Sequence, residues 1–154
     1  MNEVRKPLHF LLTALALLVA AAAICCGEKG DPVKAALDRM VKAAHNRDAE
    51  ALMENVAADF SATEGMTRSD ALLTVKRYFA AYAILDVTLS DVTIERSSNA
   101  ARATFVAQLG GQPQKIGGLE GLLPRSSTWR FDLRLVPEGR RWKVAWASWE
   151  PAGQ

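Results

Sequence analysis

Cysteine is almost missing from this sequence. Its two examples, Cys25 and Cys26, are adjacent. Neighbouring cysteines do not meet ordinary disulfide geometry. Residues 27–154 therefore hold neither a disulfide nor a thiol ligand. Histidine is as scarce, with His45 alone beyond residue 26. The chain has no Ser/His/Asp set, no His/Cys ligand cluster and no pair of acids at a spacing that demands proximity. Gly110-Gly111 and Gly117-Gly118 are not framed by a strand-to-helix transition, so they are not a dinucleotide fingerprint. No catalytic residue, metal or cofactor is assigned on this basis. Net charge is only +2, too small a surplus to point to nucleic acid.

One long apolar run is present. Arg5 and Lys6 precede Phe10 to Ile24, interrupted only by Thr13. A basic start, an apolar stretch of about 7–15 residues and a small-residue region define a secretory signal. Counted from Leu8 to Cys26, the segment approaches the ~20 residues of a spanning helix. Residues 1–26 are thus expected to be a signal peptide or an N-terminal membrane anchor. Ala22-Ala-Ile-Cys-Cys-Gly27 resembles the lipobox of bacterial lipoproteins. That resemblance implies lipid modification at Cys26, with Cys25 as the alternative, and an exported chain held on the periplasmic side of a bacterial envelope.

Residues 27–30 read as a tether and 31–150 as one domain, in keeping with about 100–200 residues per domain. Asp31-Pro32 is an N-cap followed by proline at the first helical position. Val33, Leu37, Met40, Val41 and Ala44 follow at helical spacing. Asp48 caps a shorter helix bearing Leu52, Met53 and Val56, and 59–63 reads as a short strand before a turn at Glu64-Gly65. Thr67-Arg-Ser-Asp70 resembles a capping box opening a third helix through Leu72, Val75, Phe79 and Tyr82.

From Leu85 the period becomes two. Leu85, Val87 and Leu89 share one parity; Val92 and Ile94 take the other, which predicts a bulge near Ser90-Asp91. Ala101, Ala103, Phe105, Ala107 and Leu109 form an inner row, followed by a glycine- and proline-rich connection over 110–127. Trp129, Phe131, Leu133 and Leu135 form the next row. After a turn at Pro137-Glu138-Gly139, Trp142, Val144 and Trp146 form the last.

Asn46-Arg-Asp-Ala-Glu-Ala-Leu-Met-Glu-Asn-Val-Ala-Ala-Asp-Phe60 and Arg140-Arg-Trp-Lys-Val-Ala-Trp-Ala-Ser-Trp149 resemble the second helix and last strand of the nuclear transport factor 2-like superfamily, in its SnoaL-like branch. The resemblance covers about residues 31–150. It implies an α+β, cystatin-like cone: three N-terminal helices packed on a bent antiparallel sheet of about four main strands. Family enzymes place Asp, Tyr or His inside the cone as acid and base. Here His45 ends a helix, where a cationic side chain is favoured. Asp132 alternates with core aromatics and is expected to point outward. The bulge leaves the faces of Asp86, Asp91 and Glu95 open. Tyr78 is read as edge and Tyr82 as core.

The remaining feature is a basic outer row. Residues 102–154 carry 8 Lys/Arg against 4 Asp/Glu. Arg102, Arg130, Arg134 and Lys143 fall opposite the core aromatics, and Trp149 shares the parity of Lys143. This row is a candidate contact face for a second copy, a partner protein or an anionic lipid surface. Two functions follow: a membrane-tethered binding or accessory protein without catalysis, and a small-molecule-binding or isomerase/cyclase-type enzyme. A cone filled by Trp129, Phe131, Trp142 and Trp146 would favour the first. An open cone with a desolvated Asp facing a Tyr would favour the second.

Overall fold

A computed structural model of the chain describes residues 30–115, 117 and 119–153, with the side chains of Leu119 and Glu120 excepted. Cys25, Cys26 and the apolar run lie outside the described residues. Among the described residues, no helix is long and apolar enough to cross a membrane.

Pro32–Gln154 forms a compact unit. Helix α1 (Pro32–His45) begins at the proline and buries Val33, Ala36, Leu37, Ala43 and Ala44. Its salt bridge between Lys34 and Asp38 lies on the wet side. Arg47, at φ 54°, turns the chain out of α1. Asp48 then caps α2 (Ala49–Met53) by accepting the Ala51 amide at 2.9 Å. Strand β1 spans Val56–Ala62. Val56 therefore opens a strand and does not belong to α2: the helix ends at Met53, and Val56 faces Val144 across the sheet.

Glu64 and Gly65 take positive φ in a one-turn 3-10 segment. The capping box forms as Thr67 and Asp70 exchange hydrogen bonds, which opens α3 (Arg68–Ala81). The hydrogen bonds from the Thr67 side chain and backbone hold the Asp70 carboxyl below its ordinary value. Tyr82 ends that helix and opens β2 (Tyr82–Arg96), which pairs with β3 (Ala101–Pro113). The pairing slips between Ser90 and Thr93, where Asp91 has φ 52°. This is the bulge that the parity switch predicts. β4 (Ser126–Glu138) and β5 (Arg141–Pro151) complete the sheet, whose order is β1-β5-β4-β3-β2.

The architecture is α+β, but the sheet has five strands and is mixed. β1 runs parallel to β5, whose outer edge would otherwise expose unpaired backbone groups. The Val144 amide donates to the Asn55 carbonyl at 2.8 Å just ahead of β1. Asn55 is buried and satisfied, accepting from Arg39 Nε at 3.0 Å and donating to the Ala51 carbonyl at 3.1 Å.

Ala101, Ala103, Phe105, Ala107, Leu133, Leu135, Val144 and Ala147 bury against Val33, Leu37 and Met53. Among the described residues, the buried core comes from this unit, which is roughly twice the ~60 residues that can sustain a core.

β5 also contains a bulge. Leu135 faces Val144, whereas Arg134 faces Trp146, so Ala145 is the extra residue. Parity reverses there. Trp142 and Val144 point inward before the bulge, and Ala147 and Trp149 point inward after it. Trp146 is therefore not part of the inner row, and Trp149 is not on the outer face with Lys143.

Candidate functional site: an apolar cone

A cavity of about 400 Å³ lies between α3, the end of α1, α2 and the concave face of the sheet. α3 contributes Ala71, Thr74, Val75 and Tyr78, at spacings that put them on one helical face. The small Ala71, half-buried, leaves space that a larger side chain would fill, and Thr74 is exposed at the cavity's rim. Leu109, Trp129, Phe131, Leu133 and Trp149 form the opposite wall, and Met40, Met53 and Met66 are among the other lining residues. Phe131 stacks on Phe105 with ring centroids 5.3 Å apart and meets Trp149 at 6.3 Å. Trp149 is 39% exposed, which places it at the cavity's edge.

The wall has few polar groups. Among the described residues, its lining side chains include no Asp, Glu, His, Lys or Arg. Tyr78 supplies a phenol, and burial pushes it up to about 12. Tyr82 acts in the same direction, and a hydrogen bond from Ser127 opposes them. The Tyr78 hydroxyl thus stays protonated at neutral pH and can donate a hydrogen bond. Trp129 Nε1 donates to Ser127 Oγ at 3.1 Å, so that indole is already engaged.

The acids considered for acid–base chemistry stay outside. Asp86, Asp91 and Glu95 are exposed. Asp132 is on the convex face and receives both Arg102 Nε and Nη2, at 3.0 and 2.8 Å. The hydrogen bond from Arg102 holds the Asp132 carboxyl below its ordinary value. His45 stands at the end of α1, with Nε2 2.9 Å from the Val87 carbonyl oxygen and 3.2 Å from Asp86 Oδ1. It ties α1 to β2. No group of three or more His, Cys, Asp or Glu among the described residues could hold a metal ion.

The basic row lies on the convex face, and most of it is answered there. Arg102 has Asp132, Arg130 has Glu150 at 3.8 Å, and Lys143 has Glu138 at 2.7 Å. Arg134 lies over the Trp146 indole. Trp146 thus supplies the aromatic of this face that the sequence pattern assigned to Trp149.

The solved structures that resemble this chain decide the fold. A candidate dehydratase of the nuclear transport factor 2-like family from Streptomyces avermitilis superposes with a TM-score of 0.68 at 15% identity, covering 80% of this chain and 96% of that one. A candidate scytalone dehydratase from Novosphingobium aromaticivorans gives 0.68 at 13% identity, over 79% and 83%. The fold is nuclear transport factor 2-like. Bd1075 from Bdellovibrio bacteriovorus gives 0.64 at 14% identity and covers 78% of this chain, which spans only 40% of that protein. No protein-family model matches the sequence, and no curated protein is significantly similar to it.

Sequence reasoning placed Trp129 and Phe131 on the inner face and Tyr82 in the core, where they are. It missed the cavity role of Tyr78 and Trp149. Tyr78 was legible from its position seven residues after Ala71 on the inward face of α3. Trp149 was hidden by the bulge at Ala145, which no turn residue announces.

Proposed function

We propose that this domain binds an uncharged, largely apolar small molecule in its cone and acts without an acid–base pair of its own. The observation that carries this is the roughly 400 Å³ cavity whose wall, among the described residues, has no carboxylate, histidine or cation and one protonated phenol. Pockets of this size, mostly apolar with a few polar groups, suit small ligands. A charged ligand would lose its hydration there with nothing to replace it. Methionines at three wall positions favour an adaptable fit.

The proposal includes the setting: a chain exported and anchored through lipid at Cys26, or at Cys25, on the periplasmic side of an envelope. The basic start and lipobox-like residues support this. It also includes the convex face of Arg102, Arg130, Arg134 and Lys143, with Trp146, as a contact surface for a second copy. Arginine and tryptophan together suit interfaces.

An isomerase- or dehydratase-type enzyme is the second reading, favoured by the candidate dehydratases that share the fold. It would rely on Tyr78 as hydrogen-bond donor to a carbonyl. Native mass spectrometry of residues 30–154 tests the binding reading: a retained neutral apolar molecule supports it, and a ligand rich in carboxylate or phosphate contradicts it.

A further inference from the structure

Trp129, Ser127, Tyr78 and Tyr82 form a run of hydrogen bonds beside the cone, and each side chain has a single proton to donate. Tyr78 and Trp129 line the cavity, one from α3 and one from the sheet. Trp129 Nε1 donates to Ser127 Oγ at 3.1 Å. Ser127 and Tyr82 are both hydrogen-bonded to the Tyr78 hydroxyl. The Tyr78 and Tyr82 rings lie 5.0 Å apart, centroid to centroid. The Tyr82 hydroxyl in turn donates to the Pro124 carbonyl at 2.8 Å.

The supply of protons fixes the direction of this run. A carbonyl oxygen only accepts, so Tyr82 gives its proton to Pro124 and can only accept from Tyr78. An indole N–H only donates, so Ser127 accepts from Trp129 and has its own proton left for Tyr78. Tyr78 therefore points its proton at Tyr82, and its oxygen retains acceptor capacity. Reversing the run would break the bond that satisfies the Tyr82 hydroxyl, in a residue only 2% exposed. The other polar side chains of the wall, Thr74 and Trp149, are exposed at the rim. Away from the rim, the polar capacity left among the described lining residues is an acceptor.

We infer that the cone selects an apolar molecule carrying a hydroxyl or N–H group, which donates to the Tyr78 oxygen, over one whose polar group is a carbonyl. A carbonyl set against that oxygen would put two acceptors together with no proton between them, and an unpaired polar group away from water is costly. Tyr82 is a positioning residue: its bond to Pro124 decides which way the Tyr78 proton points. The inference rests on the cone binding a neutral small molecule and names the group that molecule carries. It also denies an isomerase-type reaction the donor that Tyr78 would supply to a carbonyl.

The test uses the full chain and two probes, 2-naphthol as donor and 2-acetylnaphthalene as acceptor only. Each competes with N-phenyl-1-naphthylamine at neutral pH, where both are uncharged. Probe bound outside the cone is common to every variant and cancels in the comparison. Tyr78→Phe should weaken 2-naphthol about fivefold and leave 2-acetylnaphthalene within about twofold, the scale of one hydrogen bond. Tyr82→Phe keeps the ring and frees the Tyr78 proton, so it should strengthen 2-acetylnaphthalene about fivefold. A loss of packing alone would weaken both probes and could not produce that gain. Unchanged 2-naphthol binding in Tyr78→Phe would overturn the inference and leave the apolar cone standing. So would a Tyr82→Phe variant that unfolds cooperatively and gains nothing for 2-acetylnaphthalene. Probe affinities that are the same in Ala71→Phe would instead place binding outside the cone, and the cone reading would fail together with this one.

Discussion

The guanidinium of Arg134 lies over the indole of Trp146, 4.7 Å from its centroid. The pair exists because the bulge at Ala145 turns Trp146 to the convex face. A cation–π contact at an exposed site contributes about 0.5–1 kcal/mol. Trp146→Ala should therefore cost modestly in urea unfolding. Leu135→Ala, at a fully buried site on the neighbouring strand, should cost about 2–5 kcal/mol. Equal losses would mean that Trp146 packs in the core.

Gly111 is required by its neighbours. A Cβ at this position would meet the Ile84 carbonyl oxygen at 2.5 Å and the Tyr82 ring at 2.9 Å. The backbone oxygen cannot rotate away. Gly111→Ala should destabilise by about 1–3 kcal/mol, as other overpacked sites do. Amide exchange should also quicken at Gln114, whose bond to Ala81 lies next to the displaced strand. Unchanged stability and exchange would show that β2 and β3 separate more freely here than their pairing implies.

The sequence pattern told strands and helices apart because periods of 3.6 and 2 are local properties. The capping box at Thr67, the cap at Asp48 and the bulge at Asp91 were visible for the same reason: each leaves a residue-type signature within a few positions. The parallel pairing of β1 with β5 was not visible, since Val56 reads equally well as the last apolar position of α2. The bulge at Ala145 was not visible either. It leaves an alternation that looks unbroken through Trp142, Val144 and Trp146, and its consequence for Trp149 appears only when register with β4 is known. The cavity is a non-local property, set by small residues on α3 facing aromatics more than fifty positions away.

Two titrations follow from the site and the convex face. The Tyr78 phenol moves from an ordinary 10.0 to about 12 in the folded chain. Between those values the folded state keeps a proton that the unfolded chain has released, so stability is full below pH 10.0 and falls as pH rises toward 12. Tyr78→Phe should flatten that alkaline fall in chemical-denaturation midpoints. A fall of undiminished size would mean that another group causes it.

Asp132 has the opposite sign. Arg102 keeps its carboxylate charged below its ordinary value of 3.8, so the folded state resists taking up a proton that the unfolded chain accepts. The stability this gives is present above pH 3.8 and is lost as pH falls through the lower folded value. Asp132→Asn should blunt the acid fall and shift it less with salt, since the pair is partly exposed. An acid unfolding curve identical to the parent's would remove Asp132 from the account.

Self-association through the convex face predicts a dimer that Arg130→Glu with Arg134→Glu converts to monomer in sedimentation velocity, with a stronger effect at low salt. A parent domain that is monomeric at every concentration tried would remove the face from the proposal.

The cone as a binding site for an uncharged apolar molecule is tested most directly by titrating residues 30–154 with N-phenyl-1-naphthylamine, a neutral apolar fluorophore. The unsubstituted domain should enhance its emission saturably. Ala71→Phe, which fills the cavity from α3, should still unfold cooperatively and bind the probe about tenfold or more weakly. No saturable binding by the parent, or equal affinity in a folded Ala71→Phe variant, would contradict the account.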